Sequence, residues 1–483
     1  MGKAGSASKA SPVFPESAVW PKSRAITAFH VSSGPLRNRY SLTPTTWGTS
    51  EFDQATAAWS RGIRTSMKIA LFANTEWYLY NFRLALAKGL REAGHEVMLV
   101  SPPGPYGEKL RDLGFRWEAA PMDRRSLNLW REALLINWLG RLFRRERVSL
   151  VHGFTIKSAV YGSLAAKLAG VPARVSAVAG MGYVFSSGDL QARLLRPIVR
   201  SLVGVTLGGS NARLILQNSD DVEFFERNRL VHPDFIRLIP SSGVDCARFV
   251  PAIGDPAPSE SNTPSENVVA LHKPAVGGSQ TPDPLRVVLP ARLLWEKGIG
   301  EFAEASRLLR SEGRYISFLL AGNPDPGNPS AVPVSMLERW EQEGLVKWLG
   351  HIDDMAALFR SVDIAVLPSY YREGVPRGLI EAGACGLPLV TTDAPGCRDV
   401  VADGVNGFLV PVRDAQSLAD AIARLQDDPG LRERMGRASR EKVVAEFDER
   451  IVIERTLAVY GELLPEFRQS PSAPAAGPPP KLG

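Results

Sequence analysis

The stretch LPSYYREGVPRGLIEAGACGLPLVTT, residues 367–392, reads as a strand end, a loop, a helix start and a second strand in close succession. The apolar run that ends near Pro368 is β-rich. Pro376 is tolerated in the first turn of a helix, so a helix is expected to begin there. Strands joined through helices form parallel sheets covered on both faces. In such sheets ligands bind beyond the carboxyl ends of the strands, where a helix N-terminus offers free N–H groups and positive dipole to a phosphate.

The same rhythm extends outward from this stretch. Upstream lie LRVVLPARLLWEKG, ISFLLAG and VKWLGHI; further upstream, from Met67, come KIALFAN, HEVMLVS, VSLVHGF, ARVSAVAG, RLILQN and FIRLIP. Helical periods such as NFRLALAKGLREAG, ending at Gly94, and KSAVYGSLAAKLAG separate them. Residues 250–284 break the rhythm with Pro, Ser, Gly and Asn and read as a linker or insertion. The expected fold class is therefore α/β, two doubly wound Rossmann-like domains facing a cleft. The front domain spans 67–245, linker or insertion 246–284, and the back domain 285–440. A C-terminal helix covers 441–468, with packing back on the front domain as one option, and a disordered Pro-rich tail fills 469–483. Residues 1–66 carry no apolar period and read as a disordered extension: a tail, a targeting sequence or the product of a misplaced start codon.

The chain has 483 residues, 44% hydrophobic and 22% charged, ordinary for a soluble globular protein. No run of about eighteen apolar residues suggests a membrane span. Cys246, Cys385 and Cys397 stand apart without a CxxC pair, which argues against a disulfide framework or a zinc site. The net charge of +6 is uneven: residues 67–245 hold 24 Lys/Arg against 16 Asp/Glu, and residues 285–440 hold 18 against 21. A basic front half points to an anionic partner: membrane surface, lipid diphosphate or nucleic acid.

Glu373 and Glu381 lie eight positions apart. At a helical rise of about 1.5 Å per residue they stand roughly 12 Å from one another, too far to flank one scissile bond. They could grip the two ends of an extended ligand such as a nucleotide sugar; two surface glutamates beside a helix start is the plainer alternative. Arg292 and Lys297, at the carboxyl end of the back domain's first strand, can converge on an anion, and Gly298 lets backbone approach. Solvated charge flanking a helix is the competing reading of that pair.

With these motifs in this order, the sequence resembles the GT-B glycosyltransferases of family 4 over roughly residues 67–465. The matching features are Arg292 to Lys297-Gly298, the pair Glu373 and Glu381 (E-x7-E), and the turn DGVNGFLVP at 403–411. The resemblance implies that Arg292 and Lys297 hold the donor diphosphate and offset charge on the departing nucleotide. It implies Glu381 on the ribose hydroxyls, Glu373 on the donor sugar, and the backbone of Gly374, Val375, Pro376 and Arg377 lining that sugar. Val375-Pro376-Arg377 stands where the family often has Phe-Gly, which leaves the hexose open. The resemblance also implies retention of anomeric configuration. No Asp-x-Asp occurs, so no metal and no cofactor are expected beyond a nucleotide-sugar co-substrate.

In the front half, NTEWYLYNFR (74–83), VHGFTIKSAVYG (151–162) and VAGMGYVFSSG (178–188) are similar to a bacterial branch of family 4 that extends undecaprenyl-diphosphate-linked sugars. Asn81, Arg83, His152 and Lys157 are the acceptor-side candidates, with Lys157 meeting a lipid diphosphate or standing as a helix-start surface lysine. His152 acts near the reaction centre or is merely a hydrogen-bonded strand-end histidine. Ala179 occupies a position where many relatives have histidine, so activation by that side chain is absent. GMGYVF lacks a full dinucleotide fingerprint, which argues against NAD.

Residues 127–147 read as a helix with Trp130, Leu134, Trp138 and Leu142 on one face. Leu135, Leu139 and Phe143 widen that face, and Arg131, Arg141, Arg144, Arg145 and Arg147 add charge. Such a helix suits a membrane interface, or a core with one solvated side. Arg193, Arg196 and Arg200 form a second basic strip. No nucleic-acid motif accompanies the charge. The expected protein is a transferase moving a hexose or N-acetylhexosamine from a UDP-sugar donor to a lipid-linked, polyprenyl-diphosphate-borne sugar acceptor in envelope glycan assembly. Its expected place is the inner face of the plasma membrane, peripheral on its anionic surface. A soluble acceptor and a catalytically silent nucleotide-sugar scaffold are the alternatives.

Overall fold

The structure, a computed structural model, describes residues 66–124, 126, 128–179, 200–252 and 283–468. The expectations for residues 1–65, 253–282 and 469–483, for Arg193 and Arg196, and for most of the 178–188 loop lie outside these.

Two parallel sheets organise the chain. The front sheet contains β1 (Lys68–Phe72), β2 (Glu96–Ser101), β3 (Arg116–Ala119), β4 (Leu150–Phe154), β5 (Ala173–Val178), β6 (Ala212–Leu216) and β7 (Ile236–Leu238), in the spatial order 3-2-1-4-5-6-7. The back sheet contains β8 (Leu285–Pro290), β9 (Ile316–Ala321), β10 (Lys347–Gly350), β11 (Ile364–Leu367), β12 (Leu389–Thr392) and β13 (Gly407–Val410). Its order, 10-9-8-11-12-13, repeats the first six places of the front sheet. β4, β5, β11 and β12 are buried along their whole length, as strands covered on both faces must be. Both sheets switch direction next to their first strand, which places the loops after β1, β4, β8 and β11 where α/β sheets bind ligands.

The helices that position the site follow these strands. They are α1 (Leu84–Glu92), α2 (Leu129–Arg145), α3 (Ile156–Ala169), α4 (Ser219–Arg227), α5 (Ile299–Ser311) and α6 (Arg377–Ala384). The back domain closes with α7 (Ala415–Asp427) and α8 (Pro429–Glu446). Next, α9 (Glu449–Leu463) crosses to the front domain, where Val452, Val459 and Tyr460 join the core beneath β1 and β4. Glu462 pairs there with Arg213 at 2.7 Å and Arg237 at 2.6 Å.

Four details differ from the sequence reading. The C-terminal helix is two helices, because Asp448 breaks the run and caps α9 with its carboxylate. NFRLALAKGLREAG does not begin as an α-helix: Leu79–Arg83 form a π-turn before α1 starts. The turn at 403–411 includes an edge strand, β13, and short β3 lacks an apolar run long enough to announce it. Among the described residues no helix is long and apolar enough to cross a membrane.

Candidate functional site

The back-domain part of the site forms where the loops after β8 and β11 meet. Lys297 ends a short 3-10 turn, Trp295–Lys297, and Gly298 follows with φ +78°. A Cβ at Gly298 would stand 2.2 Å from the carbonyl oxygen of Pro368, so only glycine lets the first loop lie on the end of β11. That contact brings Lys297 to Glu373. The Lys297 ammonium donates to Oε1 of Glu373, and the Ser369 hydroxyl donates to the same oxygen at 2.9 Å. Both charged side chains are largely buried, and Cys397 behind them is fully buried, its thiol pushed up to about 12 chiefly by burial.

Arg292 behaves differently. Its side chain is 59% exposed and pairs with Asp325 at 2.9 Å. It shares a loop with Lys297 but does not join the Lys297–Glu373 couple. Pro376 caps α6 from outside, Val375 is buried beside it, and Arg377 opens the helix. One turn on, buried Glu381 accepts from Nε of Arg377 at 2.6 Å. Burial raises the Glu381 carboxyl above its usual range, and Arg377 opposes that shift.

The front domain reaches this loop directly. Asn218 accepts from the backbone N–H of Asp221, capping α4, and donates to the carbonyl of Glu373 at 2.9 Å. A Cβ on Gly374 would meet Oε1 of Gln217 at 2.4 Å and the methyl of Ala179 at 3.1 Å, so a side chain there would push the two domains apart. Arg372 donates to Asp221 at 2.8 Å, and Arg398 spans both oxygens of Asp220 at 2.9 and 3.1 Å. Arg377 donates to the carbonyl of Asn81 and lies 5.0 Å over the ring of Phe82. The carboxyl edges of the two sheets therefore face each other across these contacts. None of Gln217, Asn218, Asp220, Asp221, Arg372 or Arg398 was singled out from sequence. QNSDD carries a helix-cap signature, but nothing in it announces a partner in the other domain.

Four acceptor-side candidates have distinct surroundings. The Asn81 side chain donates to the carbonyl of Trp77, in the short helical turn that precedes the π-turn. Arg83 is buried between the faces of Tyr78 and Phe154, 4.4 Å from the latter, and donates to the Tyr78 hydroxyl at 3.0 Å. Among the described residues it has no carboxylate partner, and its Nε has no hydrogen-bond partner. His152 lies against the same Phe154 ring, with Nδ1 2.6 Å from the hydroxyl of Tyr460 and Nε2 without a partner among the described residues. Burial, reinforced by the Arg83 charge, holds its pKa well below the usual histidine value. Lys157 is committed elsewhere: its ammonium donates to the carbonyls of Asp123 and Ser126 and to Glu132, at 2.7, 2.8 and 2.8 Å. Those three bonds use all its donors. Sequence could not show this, because Asp123, Ser126 and Glu132 lie 25 or more positions away.

Two doubly wound parallel sheets, edge to edge across a lysine–glutamate site, define a glycosyltransferase of the GT-B fold. Residues 81–241 match the family described as "Glycosyl transferase 4-like domain", and residues 278–442 match "Glycosyl transferases group 1". The chain belongs to the family 4-like, group 1 glycosyltransferases.

Among relatives, it is 29% identical over 398 residues to N,N'-diacetylbacillosaminyl-diphospho-undecaprenol alpha-1,3-N-acetylgalactosaminyltransferase of Campylobacter jejuni, covering 82% of this chain and 99% of that one. It is 26% identical to UDP-Gal:alpha-D-GlcNAc-diphosphoundecaprenol alpha-1,3-galactosyltransferase of Escherichia coli, covering 73% and 84%. The fold matches Anabaena Alr3699/HepE, crystallised with UDP, at a TM-score of 0.63 and 19% identity, covering 82% of this chain and all of that one.

Proposed function

We propose that this glycosyltransferase moves a hexose or N-acetylhexosamine from a UDP-sugar to a sugar carried on a polyprenyl diphosphate, with retention at the anomeric carbon. The observation that carries the reading is the Lys297–Glu373 couple, held at the back sheet's carboxyl edge and gripped by the front domain. The two relatives matched over most of their length, both named for diphospho-undecaprenol acceptors, supply the acceptor class.

In this reading Lys297 donates to the donor diphosphate and offsets the charge that builds as the bond from the sugar to the diphosphate breaks. Arg292, exposed and held by a surface carboxylate, swings in to share that task, while the N-terminus of α6 adds dipole. These groups neutralise the diphosphate without a metal. Glu373 grips the sugar, Glu381 the ribose, and the backbone from Gly374 to Arg377 lines the site. On the acceptor side we assign the diphosphate to Arg83 in place of Lys157. A buried guanidinium without a counter-ion is costly, and an arriving phosphate would offset that cost.

The α2 helix supports a membrane-facing role. Leu129, Trp130 and Leu134, at its N-terminal end, are 84%, 79% and 64% exposed. Apolar side chains left in water beside Arg131 suit insertion into an anionic lipid surface. The test is a panel of UDP-sugars incubated with polyprenyl-diphosphate-linked acceptors, with and without EDTA. Transfer that survives the chelator is expected. Transfer to short soluble sugars alone would overturn the acceptor assignment, and a requirement for added Mg²⁺ or Mn²⁺ would overturn the metal-free one.

A further inference from the structure

Arg377 is the part of the donor helix whose side chain has no task in the reading above. It opens α6, so its positive charge sits at the end where the helix dipole is also positive. A cation there is unfavourable, and contacts elsewhere must hold it. Three do. Nε donates to the buried carboxylate of Glu381 at 2.6 Å; another guanidinium nitrogen donates to the carbonyl of Asn81; and the guanidinium plane covers the ring of Phe82 at 5.0 Å. The first contact lies within the donor helix, and the other two lie on the front domain's π-turn. That π-turn ends in Arg83, two residues from Asn81. Single π-turns of this kind are frequently found at functional sites.

Glu381 has no other hydrogen-bond partner for its carboxylate among the described residues. Arg377 takes Oε1 and leaves Oε2 without a partner among the described residues, so a ribose that grips the carboxylate through both oxygens and an Arg377 that keeps it are alternatives at Oε1.

We propose that Arg377 is a positioning residue that competes with the nucleotide's ribose for Glu381 and keeps its hold on Asn81 and Phe82 whether or not the donor is seated, so that one side chain ties the donor helix to the acceptor-side π-turn. This rests on the assignment of Glu381 to the ribose. It gives a use to Val375-Pro376-Arg377, which stands where the family often has Phe-Gly.

Calorimetric titration with UDP and initial rates on a lipid-linked acceptor separate this role from a structural one. Arg377→Gln removes the competitor, so UDP should bind roughly three- to tenfold tighter, the range of an ordinary net hydrogen bond. The KM for the acceptor should rise in the same variant. A merely structural arginine would weaken both. Phe82→Ala removes the front-domain tether and leaves Glu381 alone: UDP affinity should hold while the acceptor KM rises. UDP affinity equal to or below wild type in Arg377→Gln, with Glu381→Gln weakening UDP as expected, would overturn the competition and leave the donor assignment standing. Loss of UDP affinity in Phe82→Ala would also overturn it. UDP affinity unchanged in Glu381→Gln would instead remove the donor assignment itself, and the competition with it.

Discussion

Lys297 and Gly298 are neighbours that the site needs for different reasons. The glycine supplies a left-handed backbone pressed against the carbonyl of Pro368, and the lysine supplies charge to Glu373. Gly298→Ala should therefore cost stability, about 1–3 kcal/mol for a strained backbone, visible as a lower urea midpoint. Lys297→Ala leaves the largely buried Glu373 carboxylate without its cation, so it should cost stability as well, and beyond that lower turnover by roughly 10²–10³-fold, the scale of one lost donor to developing charge. Turnover unchanged in Lys297→Ala would remove it from the chemistry. His152 adds a pH effect. Its folded pKa lies well below the ordinary 6.5, so the unfolded chain takes up a proton that the folded one refuses. Stability contributed by the neutral ring is full above about pH 6.5 and is lost as pH falls below it. His152→Gln should flatten that part of the stability–pH curve, measured by urea unfolding between pH 7 and 5. An unchanged slope would mean that other groups set it.

At the scale of elements, α2 shows what a helical wheel can and cannot reveal. Its apolar residues were legible, but the face they seemed to share is divided. Leu135, Leu139, Leu142 and Phe143 are buried against the front core, whereas Leu129, Trp130 and Leu134 project into solvent. The arginines expected to dock on lipid are no longer equivalent either. Arg144 donates to the carbonyl of Leu168 and Arg145 to Glu146, at the opposite end of the helix from Trp130. At about 1.5 Å per residue, Arg144 lies roughly 20 Å along the axis from it. Lys157 holds the loop that leads into α2 through Asp123 and Ser126, so it fixes the pose of the exposed end. Trp130→Ala with Leu134→Ala should then release the protein from anionic vesicles in co-sedimentation, while UDP titration stays unchanged. Reversing Arg141, Arg144 and Arg145 to Glu should matter less than those two changes. Equal release by both sets, abolished by salt, would make the attachment electrostatic and spread along the helix. The π-turn before α1 escaped the sequence for another reason: its extra residue per turn has no composition of its own, and the apolar spacing of NFRLALAKGLREAG reads straight through it.

At the scale of the whole molecule, the strand–helix rhythm made both sheets legible except for β3 and β13, since buried parallel strands are near-continuous apolar runs and short edge strands need not be. The motif residues of the back domain were legible because Lys297, Gly298 and Glu373 lie in the loops that follow their own strands, and Glu381 in the helix that the second of those loops enters. Contacts between the domains were not, because a cap residue such as Asn218 looks the same whether or not it has a second partner. That second partner gives the molecule its sharpest test. The Asn218 amide oxygen caps α4, and its nitrogen holds the Glu373 carbonyl of the donor loop. Asn218→Ala removes both and should cost about 1 kcal/mol of stability as well as activity. Asn218→Asp keeps a cap oxygen but has no N–H to donate, and it sets a buried carboxylate against both the Glu373 carbonyl and the Asp221 carboxylate, to which the native amide donates at 3.1 Å. Folding stability in Asn218→Asp should therefore fall as well, and most at neutral pH and above, where both carboxylates are charged. Turnover should fall, by up to roughly a hundredfold if the loop shifts by an ångström. Thermal unfolding beside single-turnover rates separates the two effects. An Asn218→Asp enzyme as fast as wild type would show that α4 holds the donor loop through the Arg372–Asp221 and Arg398–Asp220 pairs alone. In that case Arg372→Ala, which strands buried Asp221 without its cation, becomes the variant that should open the cleft.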